Sequence, residues 1–340
     1  MNKGVKVLVW SGIPNFRQTL ESCSVKLKSK LKYNVTFESV QSHSSFMDSL
    51  EKFKPDVLIS DPSELSSDSW KVLLKGEPIK WIQSTWAGVD SVMRTINTVE
   101  DIDKSNIQVV LTKKGGFGPH IAEYSIQHIL NNERQLKNLY ANQKDKQWID
   151  SDYEYRTLNT RTVGVMGCGD IGSHVAKTFK HAFSTKVHVL RRSTTNKEEY
   201  IDELFQTKNL KDFLSSGLDY LINTLPSTAE TKGILNSDVL SNCKNNKLLF
   251  INVGRGDSIT ESQIIKALDE KWISGAILDV FEKEPLPSDS RLWAREDVVI
   301  TPHVSAKSFP YETAQIFFEN LERYMNGKPL TNVVNWEAGY

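Results

Sequence analysis

Residues Val163–Gly172 read VGVMGCGDIG, and no other stretch restricts the fold of this chain more. Val163, Val165 and Met166, entered through Thr160-Arg161-Thr162, form a short apolar run of the kind that makes a parallel strand buried on both faces. The run passes directly into Gly167-Cys168-Gly169-Asp170-Ile171-Gly172, a G-x-G-x-x-G. After it, His174–Phe183 places Val175, Ala176, Phe179 and Ala182 near helical spacing, and Lys186–Leu190 reads as the next strand. A glycine motif alone is weak evidence, but at a strand-to-helix turn it specifies a dinucleotide-binding turn. Gly167 permits the tight turn, Gly169 lets backbone approach a pyrophosphate, and Gly172 lets the helix pack against the strand. The helix N-terminus adds N–H donors and a partial positive charge. Asp170 and Ile171 fall in the same cofactor-binding set.

Which dinucleotide is expected follows from the end of the next strand. An Asp or Glu about twenty residues past the last glycine would bind the ribose 2′-hydroxyl of NAD. This chain has Arg191-Arg192-Ser193 there. An Arg attracts a 2′-phosphate and stacks on adenine, whereas a carboxylate would repel it. NADP(H) is therefore the preferred cofactor, with NAD(H) possible. A basic turn that merely faces solvent is the plain alternative.

Strands and helices alternate along the whole chain. Before the glycine motif the expected strands are Val5–Trp10, Val35–Val40, Pro55–Ser60, Lys80–Ser84 and Ile107–Leu111, with helices at Phe16–Leu31, Phe46–Phe53 and Trp70–Leu74. That alternation implies a doubly wound parallel α/β sheet. A long helix is expected over Ile121–Tyr140, opened by Pro119, then an extended arm over 142–160 carrying Trp148, Tyr153 and Tyr155. The second unit has strands at Val163–Met166, Lys186–Leu190, Tyr220–Asn223, Leu248–Asn252, Gly275–Asp279 and Val298–Thr301, a Rossmann-type set of six. A last helix, Tyr311–Met325, carries Ala314, Phe317, Phe318 and Leu321 on one face.

At 340 residues there is room for two domains, and Lys+Arg and Asp+Glu both number 42, so the formal net charge is zero. That removes an electrostatic case for nucleic acid or an acidic membrane as main partner. Three scattered cysteines, Cys23, Cys168 and Cys243, form no metal spacing and suit a reducing compartment. The N-terminus reads as a strand rather than a signal peptide, and a cytoplasmic protein without a metal is expected.

Three later segments put polar residues just past strand ends, where open α/β sheets bind ligands. They are Ile251–Gly256 (INVGRG), Leu278–Pro287 (LDVFEKEPLP) and Thr301–Ala306 (TPHVSA). With VGVMGCGDIG, the stretch Asn223–Thr231 (NTLPSTAET) and Ser84–Asp90 (STWAGVD), they resemble the D-isomer-specific 2-hydroxyacid dehydrogenases over residues 80–325. The pattern is closest in type to glyoxylate/hydroxypyruvate (2-ketoacid) reductases.

The resemblance implies a catalytic set of Arg255, Glu284 and His303. His303 would be the general acid for a carbonyl oxygen, Glu284 would orient and charge its imidazole, and Arg255 would grip a 2-oxo acid. It also implies cofactor contacts from Leu225, Pro226, Thr231, Val253 and Gly254, and Asp279 facing the nicotinamide carboxamide. Backbone N–H groups of Ala87 and Gly88 would take the substrate carboxylate. Trp86, Phe117 and Trp293 would line the pocket, or equally serve as core aromatics.

By the same resemblance, a Rossmann cofactor domain (114–307) is inserted in a flavodoxin-like substrate domain (1–113 and 308–340), with a hinged cleft as active site. A homodimer is expected through the cofactor domain, formed by the long helix and the arm. The rival from another class is a dinucleotide-sensing transcriptional corepressor of the C-terminal-binding-protein type, which shares the fold and a similar triad. A Gln beside the His would have indicated a formate dehydrogenase; Glu284 argues against it.

Overall fold

A computed structural model describes residues 4–27, 33–75, 78–99, 107–151, 153–192, 197–243 and 248–340. They form two compact units, Met1–Gly116 with Ser308–Tyr340, and Phe117–Lys307. Among the described residues no helix is long and apolar enough to cross a membrane.

The first unit holds strands β1 (Gly4–Trp10), β2 (Asn34–Ser39), β3 (Val57–Ser60), β4 (Trp81–Ser84) and β5 (Val110–Thr112). All pairs are parallel, in the order β2-β1-β3-β4-β5. Its helices are α1 (Phe16–Leu27), α2 (His43–Phe53), α3 (Ser67–Leu73) and α4 (Asp90–Asn97). Side chains alternate across a strand, and β1 shows the result. Val5, Val7 and Val9 join one core with Phe16 and Leu20 of α1, while Leu8 and Trp10 join another with Phe46, Trp70 and Val92. The first of these cores is completed from the far end of the chain. Ala314, Phe317, Phe318 and Leu321 pack onto it, and Phe317 stacks on Trp81 at 5.4 Å. Residues past that helix then add to the open edge, where Val334 N–H donates to Leu111 and Lys113 N–H to Asn332.

In the second unit come α5 (Gly118–Glu133), α6 (Leu136–Lys144), β6 (Thr162–Met166), α7 (Asp170–Phe183), β7 (Lys186–Arg191), β8 (Glu203–Gln206) and α8 (Leu210–Leu214). They are followed by β9 (Tyr220–Asn223), β10 (Leu249–Asn252), α9 (Glu261–Asp269), β11 (Gly275–Leu278) and β12 (Val298–Ile300), and α10 (Pro310–Met325) closes the chain in the first unit. The seven strands are all parallel in the order β12-β11-β10-β9-β6-β7-β8. This is the doubly wound dinucleotide-binding arrangement, with its switch point between β6 and β9. Alternation again splits the strands: Val163, Val165, Val187 and Val189 face α5 and α7, and Met166, Leu190, Leu221 and Phe250 face α8 and α9.

Several elements differ from the sequence expectation. A seventh strand, β8, extends the second sheet, and α4 follows Ser84–Asp90. The helix expected over Ile121–Tyr140 is two helices, broken where Gln135 turns left-handed at φ 48°. The arm is partly held by its own unit. The Tyr153 hydroxyl donates to the Arg134 carbonyl, Arg134 lies 3.8 Å over the Tyr155 ring, and Arg156 pairs with buried Glu133 and Asp219.

Helix α7 starts at Asp170, not at His174, so Gly172 lies inside its first turn. A Cβ on Gly172 would sit 1.9 Å from the Gly167 carbonyl oxygen. Gly172→Ala should therefore destabilise the second unit by about 1–3 kcal/mol, the usual cost of overpacking. A urea midpoint equal to that of the unaltered protein would refute the close-packing argument.

Candidate functional site

Gly167, at φ 89°, closes the turn after β6, and its N–H donates to the Leu190 carbonyl of β7 at 2.8 Å. Gly169 caps α7 in extended backbone. A Cβ built on Gly169 meets nothing within 4 Å, so this corner of the turn has room for a phosphate to approach. The N-terminus of the fourteen-residue α7 presents its first backbone N–H groups at that corner. Half-buried Ile171 and exposed Asp170 follow. These features fit the pyrophosphate of a dinucleotide.

The next loops are fastened by amides at strand ends. Asn223 and Asn252 are fully buried; Asn223 Nδ2 donates to Asn252 Oδ1 at 3.0 Å and to Ser258 Oγ at 2.9 Å. Asn223 Oδ1 accepts from Leu225 N–H and Asn252 Oδ1 from Gly254 N–H, which brings the loops after β9 and β10 together. A Cβ on Gly254 would lie 2.7 Å from the Leu225 carbonyl oxygen, so the two loops touch through backbone. Leu225, Pro226 and Thr231 are half-buried, with the Thr231 hydroxyl donating to the Pro226 carbonyl at 2.6 Å, and Val253 is buried. Ser258 Oγ and Asn252 Nδ2 both donate to the Arg255 carbonyl.

Arg255, Glu284 and His303 follow β10, β11 and β12, three neighbours in one parallel sheet, so all three emerge at its C-terminal edge. His303 Nδ1 lies 2.8 Å from Glu284 Oε2, and Glu284 Oε1 accepts from Phe281 N–H at 2.9 Å. The Glu284 hydrogen bond raises the His303 pKa above the ordinary imidazole value; burial pulls it down and the Glu284 charge pushes it up. Burial pushes the Glu284 carboxyl up, but the bonds from His303 and Phe281 and the nearby His303 and Arg255 charges hold it below its usual range. The His303 imidazole therefore keeps its charge to a higher pH than an isolated ring would, with the Arg255 charge nearby.

Asp279 is fully buried at the end of β11. Its Oδ1 accepts from the Thr301 hydroxyl at 2.6 Å and Val304 N–H at 2.8 Å, and its Oδ2 from Ser305 N–H at 3.0 Å. The Tyr124 hydroxyl of α5 lies 2.7 Å from Thr301 Oγ1. Asp279 thus anchors the His303 loop, a role that sequence reasoning missed, as it missed the Asn223–Asn252 pair.

Arg191 ends β7 beside the glycine turn and is ion-paired with Glu198, 2.9 Å from Nη1. Arg192 is exposed, and Ser193 lies outside the described residues. In the first unit, Trp86, Ala87 and Gly88 form the turn between β4 and α4, whose Thr85 hydroxyl donates to buried Asp61. Trp86 is exposed and Phe117 buried; Trp293 is exposed, its Nε1–H donating to the Pro287 carbonyl.

Residues 126–305 match the family model of the D-isomer specific 2-hydroxyacid dehydrogenase, NAD binding domain. The chain is 32% identical over 268 residues to the glyoxylate/hydroxypyruvate reductase A of Klebsiella pneumoniae (strain 342), covering 79% of this chain and 84% of that protein. Among solved structures it is similar to a D-isomer specific 2-hydroxyacid dehydrogenase family protein of Aeromonas salmonicida, at 32% identity and a TM-score of 0.79 over 98% and 99% of the two chains. It is also similar to the NADPH-dependent glyoxylate/hydroxypyruvate reductase of Sinorhizobium meliloti in complex with NADP and sulfate, at 27% identity and a TM-score of 0.77 over 99% and 100%.

The His303–Glu284 geometry sets a titration. Because the carboxylate raises the imidazole pKa, His303 keeps its proton to a higher pH than an isolated imidazole. In Glu284→Gln the His303 ring signals in an NMR titration should move at lower pH than in the wild type. A midpoint that stays or rises would remove Glu284 as the cause.

Proposed function

Since the chain belongs to the D-isomer-specific 2-hydroxyacid dehydrogenase family, we propose that it reduces a small 2-oxo acid to the D-2-hydroxy acid, with NADPH preferred over NADH. The observation that carries this reading is the 2.8 Å His303–Glu284 pair standing beside Arg255 at one sheet edge. The bound nicotinamide supplies a hydride equivalent to the carbonyl carbon. His303 gives a proton to the carbonyl oxygen from Nε2, the ring nitrogen that Glu284 does not engage. Glu284 holds the ring in orientation and stabilises its charged form before transfer. Arg255 fixes the substrate carboxylate and carbonyl through its planar fork of donors. On the family pattern of STWAGVD, Ala87 and Gly88 offer backbone N–H groups to a carboxylate, with Trp86 beside them. Asp279, buried and already accepting three bonds, serves the nicotinamide carboxamide only through what acceptor capacity remains.

Glyoxylate and hydroxypyruvate are the first substrates proposed, in keeping with the reductases of Klebsiella and Sinorhizobium, and larger 2-oxo acids come next. The preference for NADPH rests on Arg191 and Arg192 at the end of β7, where a charge-assisted contact of roughly 1.5–3 kcal/mol would favour the 2′-phosphate. The free thiols of Cys23, Cys168 and Cys243 suit a reducing compartment such as the cytoplasm.

A panel of 2-oxo acids assayed with NADPH and NADH, for wild type and His303→Ala, tests the reaction. The variant should lose at least about a hundredfold in turnover, the ordinary worth of a positioned general acid, while still binding dinucleotide. Unchanged turnover would take His303 out of the mechanism.

A homodimer through the second unit is part of the same proposal. Helix α6 buries none of its residues, Tyr140 in it is exposed, and so are Trp148 and Ile149 that follow it in the chain, Trp148 to 93%. Exposed aromatic and apolar side chains of this kind are expected to meet a partner, and a symmetric contact covers both copies at once. Light scattering should give twice the chain mass at micromolar concentration; the mass of a single chain would overturn the dimer.

A further inference from the structure

Arg191, the residue proposed above to receive the 2′-phosphate, already holds an anion of the chain itself. Both Glu198 carboxylate oxygens lie within reach of Nη1, at 2.9 and 3.1 Å, with the arginine side chain 17% and the glutamate 38% exposed. The place of this pair is fixed from several sides. Arg191 is in register with Gln206 of β8, and the neighbouring Leu190 carbonyl accepts from Gly167 N–H, so the guanidinium is tied to the glycine turn through backbone. Its side chain also interacts with the Cys168 thiol inside G-C-G, which interacts in turn with Tyr200.

Glu198 comes from a segment that is itself pinned. Ile201 N–H donates to the Glu198 carbonyl at 3.0 Å. Asp202 accepts from Val187 N–H at 2.7 Å and from Lys180 Nζ at 2.7 Å, and Lys197 Nζ donates to the Asp202 carbonyl. A carboxylate presented this way stays at Arg191 rather than sweeping through solvent. Burial pushes its pKa up, but the Arg191 hydrogen bond and charge hold it below the usual range, so it is ionised near neutral pH.

We propose that Glu198 is a specificity-determining residue for the cofactor: it occupies Arg191, and the 2′-phosphate of NADP(H) must displace it or share the guanidinium with it. The inference rests on the reading of Arg191 as the 2′-phosphate contact. Two anions on one guanidinium repel each other, so Glu198 taxes NADP(H) and leaves NAD(H), which carries no 2′-phosphate, untouched. Wild type then discriminates less than Arg191 and Arg192 alone would make it.

Calorimetric dissociation constants for NADP⁺ and NAD⁺ with wild type, Glu198→Gln and Arg191→Ala test this without any turnover. Glu198→Gln should tighten NADP⁺ by about two- to fivefold, the scale of a partly exposed ion pair, and leave NAD⁺ unaltered. Arg191→Ala should weaken NADP⁺ by a larger factor than NAD⁺, which shares the adenine but has no 2′-phosphate. If Arg191→Ala weakens NADP⁺ while Glu198→Gln leaves the ratio of the two constants unchanged, the role of Glu198 fails and the Arg191 contact stands. Equal weakening of both dinucleotides by Glu198→Gln would make Glu198 a structural brace and also overturn the inference. If Arg191→Ala leaves NADP⁺ binding intact, the Arg191 contact fails and the inference falls with it.

Discussion

The sheet edge that carries Arg255, Glu284 and His303 depends on an acidic side chain that is fully removed from water. Burying an Asp side chain is tolerated only when its oxygens are satisfied inside the protein, and Asp279 meets that condition with the Thr301 hydroxyl and two consecutive N–H groups, Val304 and Ser305. Those donors come from the residues flanking His303. The Asp279 carbonyl accepts from His303 N–H as well, and the loop turns with His303 at φ 52°, a conformation that non-glycine residues adopt rarely. One buried side chain thus holds both sides of the imidazole-bearing residue, and Glu284 then fixes the ring itself. Without that anchor the same three functional groups would hang from three loops with no common frame.

The amide pair at the next strand ends applies the same logic to uncharged groups. Asn223 and Asn252 exchange one bond with each other and spend the rest on Leu225, Gly254, Ser258 and Arg255. The backbone that would face a cofactor and the backbone that carries Arg255 are therefore one hydrogen-bonded layer. Its close approach requires Gly254, where any Cβ would strike the Leu225 backbone.

Much of this architecture was legible because β1, β6, β7 and β9 to β11 are buried on both faces and read as apolar runs, while the glycine turn announces its own helix. What escaped had no such signal. Strand β8 is a four-residue edge strand, only partly buried, so ELFQ shows no alternation. Helix α4 follows directly on STWAGVD, which reads as a loop. The break at Gln135 uses a left-handed residue that is neither glycine nor asparagine, and periodicity continues across it. Asn223 and Asn252 sit inside apolar strands, where an amide adds nothing to a hydrophobic pattern. The roles of Arg255, Glu284 and His303 came from their likeness to a family. Their meeting follows from topology: β10, β11 and β12 are neighbours, so residues far apart in sequence leave the sheet side by side. The Arg191–Glu198 pair was readable as two charges seven residues apart, but nothing in that spacing showed that they meet.

The descent of α10 onto the first sheet has a consequence for how the molecule is made. Val5, Val7, Val9 and Trp81 come before the second unit in the chain, yet Phe317, Phe318 and Leu321, which cover them, come after it. The second unit is continuous and can complete its core while synthesis is under way, since domains fold as units. The first unit cannot. One face of its sheet is covered by α1 but not by α10 until the second unit has been made, and its closure waits on a loop spanning some two hundred residues. The unit that precedes the insertion is therefore closed only after the inserted one, and in the interval an apolar sheet face lacks the cover that α10 gives it.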